Sequence, residues 1–147
     1  ISVAGAVDLD SFTLTLTGAA GGSVISGAIS GTGSIVKTGS GTWTLSGANN
    51  YTGTTSIGTS GGADGGTLAL GANNVIPSTA VNVFAGTLDV NTRTDTIGAL
   101  SLGGGASGTT AQVIIASGGV LTLGGTVTYN AANNPNGAVI SGVGSLA

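Results

Sequence analysis

The sequence predicts an all-β protein, specifically a parallel β-helix (β-solenoid) of stacked short strands joined by turns rich in Gly, Asn and Ser. Apolar and polar residues alternate with a period of two, and no window shows the i, i+3, i+4, i+7 spacing of an amphipathic helix. The 30 glycines in 147 residues disfavour helix throughout the chain. A short strand motif also recurs at spacings of 20 to 33 residues, the length of one solenoid coil.

The period of two predicts thirteen strands, each bounded by clusters of Gly, Asn or Ser. They cover residues 12–17, 24–29, 34–37, 42–46, 54–57, 67–70, 80–84, 87–90, 97–102, 111–116, 120–123, 126–129 and 139–140. In a solenoid such strands stack in parallel about 4.8 Å apart, with glycines at the corners where φ is positive.

The recurring motif is a glycine, Thr or Val, and then two apolar residues separated by one position. It begins at four places, Gly41 (GTWTL), Gly66 (GTLAL), Gly86 (GTLDV) and Gly119 (GVLTL). A second repeat relates residues 24–27 to 139–142 (both VISG), and residues 33–35 to 144–146. The C-terminal segment is therefore predicted to begin another coil.

An antiparallel β-sandwich or barrel is the competing architecture, because short strands with frequent turns suit both folds. Two-residue hairpin signals are few, however, at Asn136-Gly137 and Asp64-Gly65, and the repeat is longer than a hairpin. Both facts favour the solenoid.

The composition agrees with a thin core. Gly, Ala, Thr, Ser and Asn make up 97 of the 147 residues, and aromatic residues only 3%. Two packed sheets lie about 10 Å apart and need large side chains between them, whereas the inside of a solenoid coil is narrow. A mean hydropathy of +0.50 with a net charge of −3 argues against a disordered chain.

The charged residues limit the range of partners. Lys37 and Arg93 are the only basic residues, against five aspartates and no glutamate, so nucleic acid is not expected as a partner. The absence of cysteine removes disulfides and thiolate metal sites. The longest apolar run, residues 113–116, is far shorter than the ~20 residues of a membrane-spanning helix, so no membrane insertion is expected.

No signal-peptide pattern is visible, and the chain contains no methionine. We therefore expect a processed product or an excised piece of a longer precursor. Residues 1–147 are predicted to form a single β-solenoid segment, either part of a longer protein or a filament-forming unit.

Residues 25–55 carry a more specific signal, reading ISGAISGTGSIVKTGSGTWTLSGANNYTGTT. This run resembles the autotransporter-associated β-strand repeat, with Lys37 and Tyr51 at their expected places. The chain departs from that pattern at Trp43, where the repeat usually has Leu, and the likeness is diffuse outside residues 24–70. The resemblance implies a right-handed parallel β-helix in a bacterial surface or secreted protein, commonly a passenger exported through an outer-membrane barrel.

Parallel β-helices include polysaccharide lyases and hydrolases, which use facing carboxylates or a carboxylate with a basic residue. Asp8 and Asp10 are predicted on the same face of one strand, and Asp89 and Asp95 flank Arg93. We interpret all of them as solvated surface charges. No catalytic residue is predicted, and the chain is not expected to be an enzyme.

Three further motifs predict no metal or cofactor site. The loop at 61–66, GGADGG, only partly matches the calcium-binding nonapeptide repeat, because Asp64 is misplaced. Residues 103–108 match GxGxxG, but a strand follows instead of the helix that a dinucleotide site requires. The sequon at 50–52 is interpreted as a chance match.

Four other features bear on packing and binding. Trp43 shares a strand face with Leu45 and is predicted in the core, whereas Tyr51 either packs over a coil edge or is exposed for stacking on a sugar. Lys37 is predicted at a coil edge. Threonine runs near residues 13–17, 42–44, 92–96 and 126–128 would bind ice only in one aligned array, and their irregular spacing argues against it.

The sequence thus predicts a non-enzymatic structural segment, a stalk, passenger or fibre, at the bacterial cell surface or outside the cell. The expected partners are further copies, through the solenoid ends, and surface glycans. The alternative is a carbohydrate-binding or carbohydrate-cleaving β-helix, which would gain support if Asp89, Arg93 and Asp95 converged with Trp43 or Tyr51 in one groove.

Overall fold

The computed structural model describes residues 1–63, 65–132 and 137–147. These residues form eighteen strands and no helix. The strands are β1 Ser2–Val3, β2 Val7–Asp8, β3 Leu14–Leu16, β4 Ser23–Ile25, β5 Ile29–Ser30, β6 Ile35–Lys37, β7 Thr42–Leu45, β8 Thr55–Ile57, β9 Thr67–Leu70, β10 Val81–Val83, β11 Gly86–Asn91, β12 Thr94–Ile97, β13 Leu100–Gly103, β14 Ala111–Ile115, β15 Val120–Leu123, β16 Val127–Asn130, β17 Ala138–Gly142 and β18 Ser145–Leu146.

The strands pair in parallel and define three faces. Face A is the seven-stranded sheet β1-β4-β7-β9-β11-β14-β17, and face C is the six-stranded sheet β3-β6-β8-β10-β13-β16. Face B carries the β2-β5 pair and the three-stranded sheet β12-β15-β18. Neighbours within a sheet are one coil apart in the sequence, so the chain winds through about six turns of a β-solenoid. The predicted fold class is confirmed, and the antiparallel alternative is wrong.

The core consists of columns in which equivalent residues of successive coils stack. On face A, Trp43, Leu68, Leu88 and Val113 are in register and buried. On face C, Ile35, Thr55, Val81 and Leu100 form a second buried column. Each column needs one side chain per coil, which explains why so few large residues suffice.

The strand motif is equivalent in three of its four copies. Thr42, Thr67 and Thr87 of the first three copies are in register on face A. The copy at Gly119 forms β15 on face B and pairs with β12, so its predicted equivalence is wrong. A glycine followed by alternating apolar residues suits any corner that leads into a strand, whichever face that strand joins.

Residues 139–142 do begin a new coil, because β17 pairs with β14. The residue-level equivalence is wrong, however. Ile140 is in register with Val113 in the column of Trp43, whereas Ile25 is in register with Leu45, two residues further along the strand. The likeness between 33–35 and 144–146 also joins different faces, since β6 lies on face C and β18 on face B.

Two predicted strands are divided by corners. Residues 24–29 contain the end of β4 and the start of β5, and residues 97–102 contain the end of β12 and most of β13. The strands β1 and β18 are not among the thirteen predicted, and β2 was predicted only as the strand that carries Asp8 and Asp10. Each has only two residues and is stabilised by the coil stacked on it, so the local pattern carries little signal.

The corner after face A brings the backbones of successive coils into contact. A Cβ added to Gly27 would lie 1.9 Å from the Gly5 carbonyl oxygen, and one on Gly47 would lie 2.1 Å from the Gly27 oxygen. Glycine is required there by the close approach of one coil to the next.

Face B is interrupted in the middle of the solenoid. Between β5 and β12 the chain passes this face as segment 49–51 in one coil and as Val75 and Ile76 in the next, without strand pairing. Backbone bonds persist at the flanks, where Asn50 N donates to Ile29 O at 2.9 Å and Asn74 N to Thr94 O at 2.9 Å. The remaining backbone groups need other partners.

Candidate functional site

Polar side chains inside the solenoid supply the partners that face B lacks. Asn49 Oδ1 accepts a hydrogen bond from Ile29 N at 2.8 Å, and Asn49 Nδ2 donates to Val75 O at 2.7 Å. One amide thus bridges the coils before and after its own. Such a bridge replaces two backbone bonds of the missing strand pairing.

Asp95, in the coil that follows Val75 and Ile76, supplies the remaining hydrogen-bond partners on face B. It lies on β12 with no solvent exposure, and its Oδ2 accepts from Val75 N at 2.8 Å and from Ile76 N at 3.2 Å. Its Oδ1 is buried and has no hydrogen-bond partner within the described part of the chain. Burial raises the pKa of Asp95, because it disfavours the charged form, while the bonds from Ile76 and Val75 act in the opposite direction.

Tyr51 lies in the same interior region. It is fully buried, and its hydroxyl shares a 2.6 Å hydrogen bond with Thr55 Oγ1. Burial raises the pKa of Tyr51 to about 12; the Asp95 charge adds to this and the Thr55 bond opposes it. Tyr51 is therefore packed and not exposed, although it lies inside the coil and not over its edge as predicted, and its ring is not available to stack on a sugar.

Lys37 is buried, so its predicted place at a coil edge is wrong. It stands in an inward column of face C, in register with Leu16 and Ile57. Its Nζ donates at 2.8 Å to three carbonyls, those of Thr38, Gly39 and Gly65. The side chain therefore ties the turn after its own strand to a turn of the following coil.

The surface acids form local turns. Asp8 is the last residue of β2, and its Oδ1 accepts from Asp10 N at 3.0 Å, with Asp10 at φ 51°. The two aspartates are therefore not on one strand face, as predicted, but in an Asx-type turn. Asp89 repeats this arrangement, with Oδ1 accepting from Asn91 N at 2.9 Å.

The convergence that would have supported the carbohydrate alternative is not formed. Asp95 and Trp43 are buried, and the Trp43 Nε1 donates to Thr17 O at 3.2 Å inside the stack. Arg93 is exposed, and no ion pair joins it to Asp89 or Asp95 within the described residues. These residues do not converge in one groove.

The remaining motifs lie apart from one another. The GxGxxG match precedes β14, a strand, as expected. Asp64 of the 61–66 loop and Asn136 of the second hairpin signal lie outside the described residues, within which no three acidic side chains approach as metal ligands do. Residues of the four threonine runs lie on different faces, with Thr15 and Thr128 on face C, Thr42 on face A and Thr94 on face B.

Sequence reasoning missed the two buried charges, although the alternation contains the signal. Ile35 and Lys37 occupy the same side of β6, and Asp95 and Ile97 the same side of β12. A strict reading of the period would have placed both charged residues inside. Separately, the described residues include no helix of the length and apolarity that membrane crossing requires.

Comparison with known proteins gives one match. A family model described as Passenger-associated-transport-repeat matches residues 35–62. This segment runs from β6 through β7 and β8 and contains Lys37, Trp43 and Tyr51. No curated protein and no solved structure gives a significant match. The resemblance is thereby confirmed for residues 35–62, which match this passenger-repeat model and fold as slightly more than one turn of a β-solenoid.

Proposed function

We propose that this chain is a non-enzymatic structural β-solenoid, a stalk or passenger segment of a bacterial cell-surface or secreted protein. The passenger repeat over residues 35–62 carries the proposal. The hydrogen bonds of the charged side chains support the proposal. Lys37 and Asp95 bond to neighbouring coils, and Asp8 and Asp89 accept hydrogen bonds within local turns. Each of these four charged groups thus has a structural task.

The cellular place can be tested with antibodies raised against the folded chain. We expect them to label intact cells of the source organism or to detect the protein in the culture medium. External protease should remove the cell-bound signal while a cytosolic marker persists. Labelling only after lysis would contradict the proposal.

The absence of enzymatic activity is tested against polysaccharides. We expect no release of reducing ends or unsaturated products from neutral or uronate polymers. Arg93→Met serves as the informative variant, because Arg93 is the exposed base that lyase chemistry would use. Product release that disappears in this variant would overturn the non-enzymatic reading.

Self-association through the solenoid ends belongs to the same proposal. Val139 and Leu146, on the last strands of faces A and B, are 39% and 45% exposed, and an unpaired strand edge invites pairing. A second copy continuing the stack would pair its β1 with β17 and its β2 with β18. Its β3 would then lie two strand spacings from β16, because face C has one strand fewer than face A.

Head-to-tail stacking of identical chains thus leaves one strand position unfilled at each junction. We therefore expect reversible, concentration-dependent dimers of the purified chain rather than stable filaments. Sedimentation velocity measures the first and electron microscopy the second. Long fibres would contradict the strand count, and a strict monomer at millimolar concentration would contradict association through the ends.

A further inference from the structure

An open groove of about 400 Å³ runs along the outside of face A, near the beginning of its strands. It crosses four successive coils, from the turn before β7 to β14. Among the described residues, the side chains that line it are all uncharged and all able to form hydrogen bonds: Ser40, Thr67, Thr87, Thr109, Thr110 and Gln112. None of them belongs to the interior polar groups described above.

The floor of the groove is bare backbone. Gly66 and Gly86 line it, both with positive φ, at 62° and 110°. A Cβ on Gly66 would lie 2.4 Å from the Gly39 carbonyl oxygen, so no other residue fits there. At these two glycines the groove is lined by backbone, and no side chain projects into it.

Polar groups follow the groove at the period of the coils. Thr67, Thr87 and Gln112 are in register on β9, β11 and β14, one coil and about 4.8 Å apart. Thr87 Oγ1 donates to Gln112 Oε1 at 3.3 Å. Within the described residues, the hydroxyl of Thr67 and the amide nitrogen of Gln112 have no protein partner, so both are available to a ligand.

One wall of the groove is held by a pair of backbone bonds between two turns. Gly61 N donates to Gly104 O at 2.8 Å, and Ala106 N donates to Gly62 O at 2.7 Å. These bonds cross over the shorter turn of the coil between them. They fix the segment that carries Thr109 and Thr110, so the groove exists before any ligand arrives.

We infer that this groove binds a neutral, hydroxyl-rich glycan chain lying along the solenoid axis. An anionic ligand would require lysine or arginine and a cation would require carboxylates, and neither lines the groove among the residues that the structure describes. An extended peptide would require a free strand edge, but β9 and β11 are paired on both sides. A polymer with hydroxyls at regular intervals matches a repeating row of uncharged donors and acceptors.

NMR titration tests this inference directly. Uniformly ¹⁵N-labelled protein is titrated with neutral hexasaccharides, such as maltohexaose, cellohexaose and xylohexaose, and with an oligogalacturonate as the anionic comparison. We expect saturable shifts at the amides of Thr67, Thr87 and Gln112 with at least one neutral oligomer, at millimolar affinity. The anionic oligomer should bind more weakly.

A double variant, Thr87→Val with Gln112→Val, removes the polar groups and places β-branched residues, which suit strands, at both positions. We expect its affinity to fall at least about fivefold, the effect of losing two ordinary hydrogen bonds. Thr44→Val is the matched control, since Thr44 points outward on face A but does not line the groove. It should change the affinity less than about twofold.

Three results would overturn the inference: no shift with any neutral oligomer, shifts confined to the end coils, or equal losses in the double variant and the control. Tighter binding of the anionic oligomer or of a peptide would do the same. Matched thermal melting curves for the variants separate lost binding from lost folding. The outcome is independent of the proposed surface location, which the antibody experiment addresses.

Discussion

Replacing Lys37 with Met isolates the contribution of one buried ammonium group to the solenoid. The methionine side chain fills nearly the same volume between Leu16 and Ile57, so the column stays packed and no cavity term arises. What disappears is the donor to three carbonyls, each 2.8 Å from Nζ. The measured change therefore reports the polar contacts.

The expected loss of stability is about 2–4 kcal/mol. The bond to Gly65 O is buried, and an unsatisfied buried acceptor costs about 1–3 kcal/mol. The carbonyls of Thr38 and Gly39 belong to half-buried turns and partly regain hydrogen bonds to water. Removing the charge also relieves its own desolvation cost, which keeps the total below the simple sum.

Urea unfolding followed by fluorescence measures this loss, because Trp43 is the single tryptophan and lies in the coil above Lys37. Arg93→Met is the control, since it removes an equal charge from an exposed position and should change stability by less than about 0.5 kcal/mol. If Lys37→Met and Arg93→Met had the same small effect, the three carbonyl contacts would not stabilise the fold.

Three further changes test other parts of the stack. Burial raises the pKa of Asp95, so the contribution of this carboxyl to the free energy of unfolding should be greatest below its unfolded pKa of about 3.9. This contribution should fall by up to about 1.4 kcal/mol per pH unit as the pH rises through the folded pKa. Asp95→Asn should remove this part of the pH dependence of the urea midpoint, measured between about pH 3 and pH 7. An unchanged pH dependence in the variant would refute the role given to Asp95. Trp43→Leu should lower the free energy of unfolding by about 2–4 kcal/mol. Adding Ser23→Leu, which lies in register beneath position 43, should recover part of this loss. If the effects of the two substitutions on stability were purely additive, this packing would be contradicted. Gly27→Ala should lower the free energy of unfolding by more than about 3 kcal/mol, as expected for overpacking against backbone. Gly5→Ala should have only a mild effect, because a Cβ there would have no neighbouring atom within 4 Å. Equal melting temperatures for the two variants would refute the corner contact.

The sequence predicted the architecture because its two main signals, the period of two and the spacing of the motif, do not depend on which face each strand joins. The period of two requires strands, and a motif spaced by a coil length requires stacking. Those signals located Thr42, Thr67 and Thr87 in register. They misplaced Gly119 because the same local pattern serves every corner of a coil, and only long-range pairing decides which face a strand joins.

The interior charges were the second failure, and its cause is energetic. Charged residues are almost never fully buried without partners, which favours an exposed position for Lys37 and Asp95 on composition alone. Both are buried because the backbone around them offers unpaired groups: carbonyls for the ammonium, and the amides of Val75 and Ile76 for the carboxylate. Single-sequence reasoning has no access to backbone groups that only the coil geometry leaves unpaired.

The interrupted face B shows why this solenoid tolerates an irregular repeat. Where strands are missing, Asn49 bonds to the coil before and the coil after its own, and Asp95 reaches back to the same segment. These two side chains thus supply hydrogen bonds that strands on face B would otherwise make. The arrangement leaves one buried oxygen, Asp95 Oδ1, without a partner within the described residues. Coil length can then vary without breaking the stack, provided that a side chain of the right length stands at the inward position. The geometry is therefore most restrictive at the glycine corners, where a Cβ would meet the backbone of the next coil, and in the inward columns, where one side chain per coil fills the core.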